Sequence, residues 1–258
     1  PYRRGKARSR GKEIIIQEAK QLVAQGYKEI VLTGINVSFY GQDLQNETFT
    51  SLVNSLLDID GLYRLRISSI EDSEIEDGLI ELLNRKNLAK HLHIPLQSGS
   101  DTVLKRMNRK YTCAQFYEKI QHIKTVCPDV CLTTDVIVGF PDESDEEFNQ
   151  TYEFIKKCGF NMLHVFPYSP REGTPAAKMK GQISPEVKKM RCLKLIELSN
   201  ELWDEYTNKF IGKEVEVLIE GYDKEKKANF GHTSNYLEVY IPGEGLKPGS
   251  IIKTVYKK

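Results

Sequence analysis

Apolar positions along the chain follow two rhythms. Over residues 13–25, 75–85 and 114–126 they recur with helical spacing, and in the last of these Phe116, Ile120, Ile123 and Val126 line one face. Between the helices lie short apolar runs at 29–34, 64–70, 91–96, 130–138 and 161–167, which suit strands buried on both faces. Five strands alternating with helices predict an α/β fold with a parallel sheet of βα units, open or barrel-like. Two stretches, "LVAQGYKEIVLTGIN" and "FIKKCGFNMLHVFPYS", repeat one order: helix, Gly plus aromatic, strand. Gly26 and Gly159 stand where a helix ends in the left-handed conformation. "SDEEF" (Ser144–Phe148) reads as a capping box, with Ser144 as the cap and Glu147 reaching back. "SPEVKK" opens a further helix at Ser184, with Pro185 in its first turn, running to about Phe210.

After "IGK" the rhythm becomes alternation. "EVEVLIEGYD", "ANFGHTSNYLEVYIPG" and "SIIKTVYKK", punctuated by Gly and Pro, predict a small all-β barrel. The chain therefore divides into residues 1–210, a parallel α/β part that is open or barrel-like, and residues 211–258, the β module.

Polar residues gather where the strands end: "TGIN" (33–36), "SSIED" (68–72), "LQSGS" (96–100), "GFPDES" (139–144) and "PYSPREGT" (167–174). In parallel α/β folds the carboxyl ends of the strands carry the chemistry. Each loop taken singly is also an ordinary polar turn; five in succession point to a site.

Composition narrows the classes. The 258 residues carry a net charge of +1 and are 40% hydrophobic and 28% charged, so nucleic-acid contact must be local. There is no apolar run of membrane-spanning length and no signal-peptide pattern at the start. Five scattered cysteines fit a reducing cytoplasm better than a disulfide framework. Cys127 and Cys131 form a C-x3-C pair, but Thr134 stands where a third cluster ligand would be, and the strand pattern makes them buried thiols. His91 and His93 share a strand face without an evident third ligand, which favours a hydrogen-bonded histidine in a pocket. "VGFPDES" matches no phosphate-loop spacing. "NRKY" (108–111) is a basic turn suited equally to solvent or to a phosphate. Between 211 and 258 eight Lys face seven Asp or Glu, and Tyr236 and Tyr240 serve equally as stacking faces or as core.

The ordered set "PYRRGKARSR", "VLTGIN", "RISSIE", "HLHIPLQSGSDTVLKRMNRKYT", "TTDVIVGFPDES", "HVFPYSPREGTPAAKM" and "GHTSNYLEVYIPG" resembles the radical S-adenosylmethionine (SAM) methylthiotransferases over essentially the whole chain. "MNRKYT" and "GHTSNY" resemble the branch acting on threonylcarbamoyladenosine of tRNA more than the isopentenyladenosine or ribosomal-protein branches. The resemblance implies a radical SAM partial barrel followed by a TRAM-like RNA-binding barrel. It also implies two 4Fe-4S clusters, the radical cluster being held by a C-x3-C-x2-C motif just before a segment like the opening "PYRRG". The chain then reads as a fragment lacking its first strand, its cluster loop and its amino-terminal domain, inactive alone, with no metal ligated by its own cysteines.

Carried over by motif, Gly34 and Asn36 lie near the methionyl end of SAM, and Ser69 and Glu71 face the ribose. Gln97 and Ser98 form the pocket floor, Asp135, Ile137 and Gly139 pack on the adenine, and Phe166 and Tyr168 lie beside it. For tRNA the resemblance implies Arg3, Arg4, Arg8, Arg10, Arg109, Asn235 and Tyr236; the opening arginines equally suit acids of the amino-terminal domain. Asp142 departs from the family's Gly after "GFP", at a position where a left-handed conformation would be uncomfortable for Asp. A non-catalytic RNA-binding scaffold is the alternative of another class. An aldolase-like or metal-dependent hydrolase lacks a strand-end lysine and metal-ligand spacing.

Overall fold

The computed structural model describes residues 8–34, 37–72 and 75–258. Its contacts divide the chain into two units, Pro1–Leu92 with Val126–Val130 and Phe210–Lys258, and His93–Thr125 with Cys131–Lys209. Among the described residues no helix is long and apolar enough to cross a membrane.

In the first unit, α1 (Lys12–Ala24) ends at Gly26, whose φ of +96° is the left-handed stop predicted for it. Strand β1 (Glu29–Leu32) pairs in parallel with β2 (Arg64–Ile67), Glu29 opposite Arg64 and Leu32 opposite Ile67. Helix α2 (Phe49–Leu57) between them had no counterpart in the sequence reading. Phe49, Leu52, Val53, Leu56 and Leu57 are buried along it, and Thr48 and Ser51 close a reciprocal capping box. Short α3 (Asp77–Leu82) leads to Leu88, which bridges Leu65, and to β3 (His91–His93).

The carboxyl-terminal residues of this unit form four antiparallel strands, β6 (Glu214–Asp223), β7 (Ala228–His232), β8 (Glu238–Pro242) and β9 (Ile251–Val255), in spatial order β8-β7-β6-β9. The register shifts by a bulge between Ile219 and Gly221, the device that curls a sheet. Gly231 lies so close to the Leu218 carbonyl that a side chain there would collide with backbone.

The second unit holds α4 (Asp101–Arg106), α5 (Cys113–Val126), β4 (Cys131–Val138), α6 (Asp145–Cys158), β5 (Met162–Pro167) and α7 (Pro185–Asn208). β4 and β5 are parallel, with Asp135 opposite His164 and Ile137 opposite Phe166. Beyond His93 the chain follows β4: the Ile94 N–H donates to Thr133 O at 2.9 Å and the Gln97 N–H to Asp135 O at 2.8 Å. The capping box at Ser144 and Glu147, the N-cap at Ser184 and the left-handed Gly159 are all present. Behind the sheet Phe116, Ile120 and Ile123 of α5 are fully buried, with Phe116 and Phe160 rings 6.1 Å apart. Lys124 donates to the carbonyls of Cys158 and Gly159 at 2.6 and 2.7 Å, closing the end of α6.

Candidate functional site

Side chains of a strand alternate between faces, so Leu132, Thr134, Val136 and Val138 share one side of β4 and Thr133, Asp135 and Ile137 the other. The first set is wholly buried; Asp135 and Ile137 are only half-buried. Their register partners on β5 are Met162, His164 and Phe166, the last 49% exposed. His93 closes this face from the other side. Its Nδ1 lies 2.9 Å from Thr133 Oγ1 and its Nε2 3.2 Å from Asp135 Oδ1, and its ring centroid is 5.4 Å from that of His164. An apolar shelf of Ile137 and Phe166 thus stands one register step from a carboxylate held by a histidine.

The loops at these strand ends are held rigidly. Gln97 is buried with φ +67°, and its carbonyl accepts from the Ile137 N–H at 2.9 Å. Ser98 is wholly buried, its hydroxyl 3.1 Å from that of Thr151. Gly139 has φ +70°, and its N–H donates to Glu143 Oε2 at 2.6 Å. Arg191 of α7 donates to the same oxygen at 2.6 Å, to Glu143 O at 3.0 Å and to Asp145 Oδ1 at 2.7 Å. Burial pushes the Glu143 carboxyl up from its ordinary range, against the opposing pull of the Gly139 N–H and Arg191. Tyr168 turns its ring edge-on to Phe140 at 5.1 Å, beneath the Lys188 ammonium, which donates to Tyr168 O at 2.9 Å. Asp142 adopts φ +61°, the left-handed conformation, and its N–H donates to Gly181 O at 2.7 Å.

One turn further on, Arg106 grips Glu147 with two parallel bonds of 2.9 and 2.6 Å, and Thr102 donates to the same carboxylate. The Arg106 bonds hold the Glu147 carboxyl at about 2, burial opposing them. Because the folded value lies below the unfolded one, this stabilisation is present above the ordinary glutamate range and is lost as pH falls toward about 2. Acid titration of stability should lose part of its slope in that window in Glu147→Gln; an unchanged slope contradicts the assignment.

In the first unit Gly34 follows β1, and Ser69 and Glu71 follow β2; the Ser68 N–H donates to Leu32 O at 3.1 Å, so these ends lie side by side. Ser69 and Glu71 are exposed. Asn36, Arg3 and Arg4 lie outside the described residues. Arg8 is exposed, and Arg10 pairs with Glu18 of α1 at 2.6 Å. In the second unit Arg109 is half-buried, its N–H donating to Leu104 O at 2.9 Å in the turn where Asn108 takes φ +59°.

Tyr236 lies flat on His91, with centroids 4.1 Å apart and planes 6° from parallel, with His232 at 5.1 Å and the Arg66 guanidinium 5.4 Å from its ring. Asn235 Oδ1 accepts from the Thr233 hydroxyl at 2.6 Å. Beneath this loop Glu29 binds both Arg64 and Arg66, and the two guanidinium groups donate to the carbonyls of His232 and Thr233 at 3.1 and 3.2 Å. Burial raises the Glu29 carboxyl, but Arg66 and Arg64 outweigh it and hold it below its ordinary range. No sequence signal marked the contacts of Arg64 and Arg66 with this loop, because the carbonyls they reach stand 168 and 167 residues away.

Burial pushes the Cys113 thiol up to about 12, helped by Asp101, and burial does the same to Cys158. Cys127 and Cys192 also move upward by burial. Among the described residues no three His, Cys, Asp or Glu side chains are grouped to hold a metal ion, so the described cysteines do not make a cluster site. Alkylation of Cys113 and Cys158 by iodoacetamide at pH 8 is expected to be at least about tenfold slower than that of a free thiol, judged by peptide mass spectrometry; free-thiol rates would contradict the shifts.

Residues 1–155 match the family described as the radical SAM superfamily. The chain belongs to the radical SAM superfamily. Over 258 residues it is 47% identical to a Bacillus subtilis (strain 168) protein named threonylcarbamoyladenosine tRNA methylthiotransferase MtaB, covering 98% of this chain and 57% of that protein. It is 47% identical over 227 residues to a Geobacillus kaustophilus (strain HTA426) protein named tRNA-2-methylthio-N(6)-dimethylallyladenosine synthase, covering 87% of this chain and 43% of that one. The chain thus spans about half the length of these relatives. Among solved structures, the radical SAM coproporphyrinogen III oxidase of Escherichia coli matches 74% of the chain, and 46% of its own, with a TM-score of 0.56 at 15% identity. The radical SAM methyltransferase TsrM of Kitasatospora setae matches 65% of the chain, and 33% of its own, with a TM-score of 0.53 at 14% identity. These two show the radical SAM fold.

Proposed function

We propose that this radical SAM chain serves a tRNA methylthiotransferase that places a methylthio group on C2 of threonylcarbamoyladenosine beside the anticodon. The observation that carries this reading is the 47% identity to the Bacillus subtilis methylthiotransferase along 98% of the chain. Relatives named dimethylallyladenosine synthases reach the same identity and coverage, 47% along 98% of the chain, so the choice of branch is carried by the "MNRKYT" and "GHTSNY" motifs.

SAM supplies, when bound, the radical that opens an unreactive C–H bond and the methyl group. The chain's own part is to bind and orient it. The residues of the second unit suited to this are Gln97, Asp135, Ile137, Gly139 and Phe166. Gly139 takes its left-handed φ where a side chain would collide with Lys188, and Glu143 fixes its N–H, which together set the course of the loop after β4. Two 4Fe-4S clusters belong to the activity proposed for the whole protein, and no cysteine of this chain is proposed as their ligand.

Residues 1–210 make the partial barrel and 211–258 a TRAM-like module that binds tRNA, with Arg8 and Arg109 as further phosphate contacts. A tRNA substrate places the protein in the cytoplasm. The test is mass spectrometry of tRNA nucleosides from cells lacking the gene. Loss of 2-methylthio-threonylcarbamoyladenosine, restored by the intact gene, is expected; loss of the methylthio group from the isopentenyl-type nucleoside instead would overturn the branch.

A further inference from the structure

His93, Thr133 and His164 belong to none of the roles assigned above, yet they surround Asp135. We infer that His93 is the positioning residue that aims the Asp135 carboxylate at a hydrogen-bond donor of an adenine nucleoside lying on the Ile137–Phe166 shelf. This rests on the SAM and tRNA reading, which supplies adenine nucleosides from two sources: SAM itself and the target adenosine of the RNA.

For a neutral imidazole the geometry gives His93 one consistent arrangement. Its Nε2 faces the Asp135 carboxylate at 3.2 Å, which accepts and cannot donate when ionised, so Nε2 carries the hydrogen. Nδ1 then accepts from the Thr133 hydroxyl at 2.9 Å. Thr133 is 1% exposed and its side chain is fixed, so the chain of bonds starts from a rigid point. It ends on a carboxylate whose side chain is 29% exposed, on the half-open face of the sheet. A carboxylate has two oxygens and about four acceptor directions, and His93 occupies one of them. The register places this acceptor beside His164 and one step from the Ile137–Phe166 pair. A flat heterocycle on an aromatic and a branched aliphatic side chain, with an acceptor at its edge, is how a base bearing an amino group is held. A ligand without such a donor gains the shelf but leaves the carboxylate unmatched, which is the costly case.

The test uses the full 258-residue chain. Long-range nitrogen–proton NMR of the imidazoles should show His93 as the Nε2–H tautomer, and Asp135→Asn should shift that signal while leaving the His122 signal in place. Binding is then titrated with adenosine and with purine riboside, which lacks the amino group. The wild-type chain should prefer adenosine, and His93→Ala and Asp135→Asn should each weaken adenosine about tenfold while leaving purine riboside within about twofold. His93→Gln, whose amide N–H reaches the same oxygen, should restore most of the loss, which a merely structural histidine would not permit. Repeating the titration with SAM and with an anticodon stem-loop RNA identifies the source by which affinity Asp135→Asn reduces. Equal affinities for adenosine and purine riboside, no binding of either, or a Nδ1–H tautomer would overturn the inference. Loss of the methylthio nucleoside in cells lacking the gene would still stand in each case, so the two claims fail separately.

Discussion

Replacing Arg191 with alanine is expected to destabilise the protein by about 3–5 kcal/mol, because it leaves a buried carboxylate without its cation. The Arg191 and Glu143 side chains are 5% and 1% exposed, and their contact is 2.6 Å. Arg191 also holds the Glu143 carbonyl and the Asp145 carboxylate, so the substitution strips three acceptors at once. Burial already pushes the Glu143 carboxyl up from its ordinary range, and the variant removes one of the pulls that oppose it. The acceptor of the Gly139 N–H then loses its clamp, which loosens the strand-end loop proposed for SAM. Urea unfolding of Arg191→Ala, compared with the double change Arg191→Met and Glu143→Leu, is the measurement. The apolar pair removes both charges and should recover a substantial part of the loss. A single-variant effect under about 1 kcal/mol would mean the pair is solvated and does not organise the loop.

The second large effect is expected from Glu29→Ala. It leaves Arg64 and Arg66, with side-chain exposures of 3% and 9%, without the carboxylate they share and held by backbone carbonyls and, for Arg66, the Tyr236 ring. Removing the shared anion from such a site costs about 3–5 kcal/mol. With its side chain 3% exposed, burial lowers the Arg64 guanidinium, which Glu29 opposes. The loop 233–237 loses the base on which its carbonyls and the Tyr236 stack rest. Limited proteolysis should therefore open first within that loop, while Glu29→Gln, which keeps the shape, should fall between wild type and Ala. Cleavage unchanged in Glu29→Ala would show that stacking on His91 alone holds the loop.

The sequence carried most of what is local. The Ser144 capping box, the glycine stops at 26 and 159 and the Ser184 start are interactions within one turn, and each was legible from residue type and spacing. So was the discomfort of Asp142, which does stand at φ +61°. Strand windows ran a few residues beyond the strands, because apolar character continues into the loops after pairing stops, as at Ile70 after β2. Helix α2 went unread because its polar positions are Thr, Ser and Asn, weak helix formers whose capping hydroxyls resemble a loop, although its apolar face is buried. The site residues were legible as strand ends but not as partners. His93 meets Thr133 and Asp135 across 40 or more residues, and Glu143 meets Arg191 across 48, pairings that only the parallel register and the packing of α7 create. Tyr236 had two open readings, and its stack on His91 is set by a loop whose neighbours lie far away in sequence.

The reading of these strand ends as a SAM site is most directly tested by photo-crosslinking the full-length protein, its clusters reconstituted, with an azido-adenine analogue of SAM and mapping the labelled peptides. Label concentrated in the segments around Asp135–Gly139 and His164–Tyr168, and displaced by excess SAM, is the predicted result. Displaceable label that avoids both segments would contradict it.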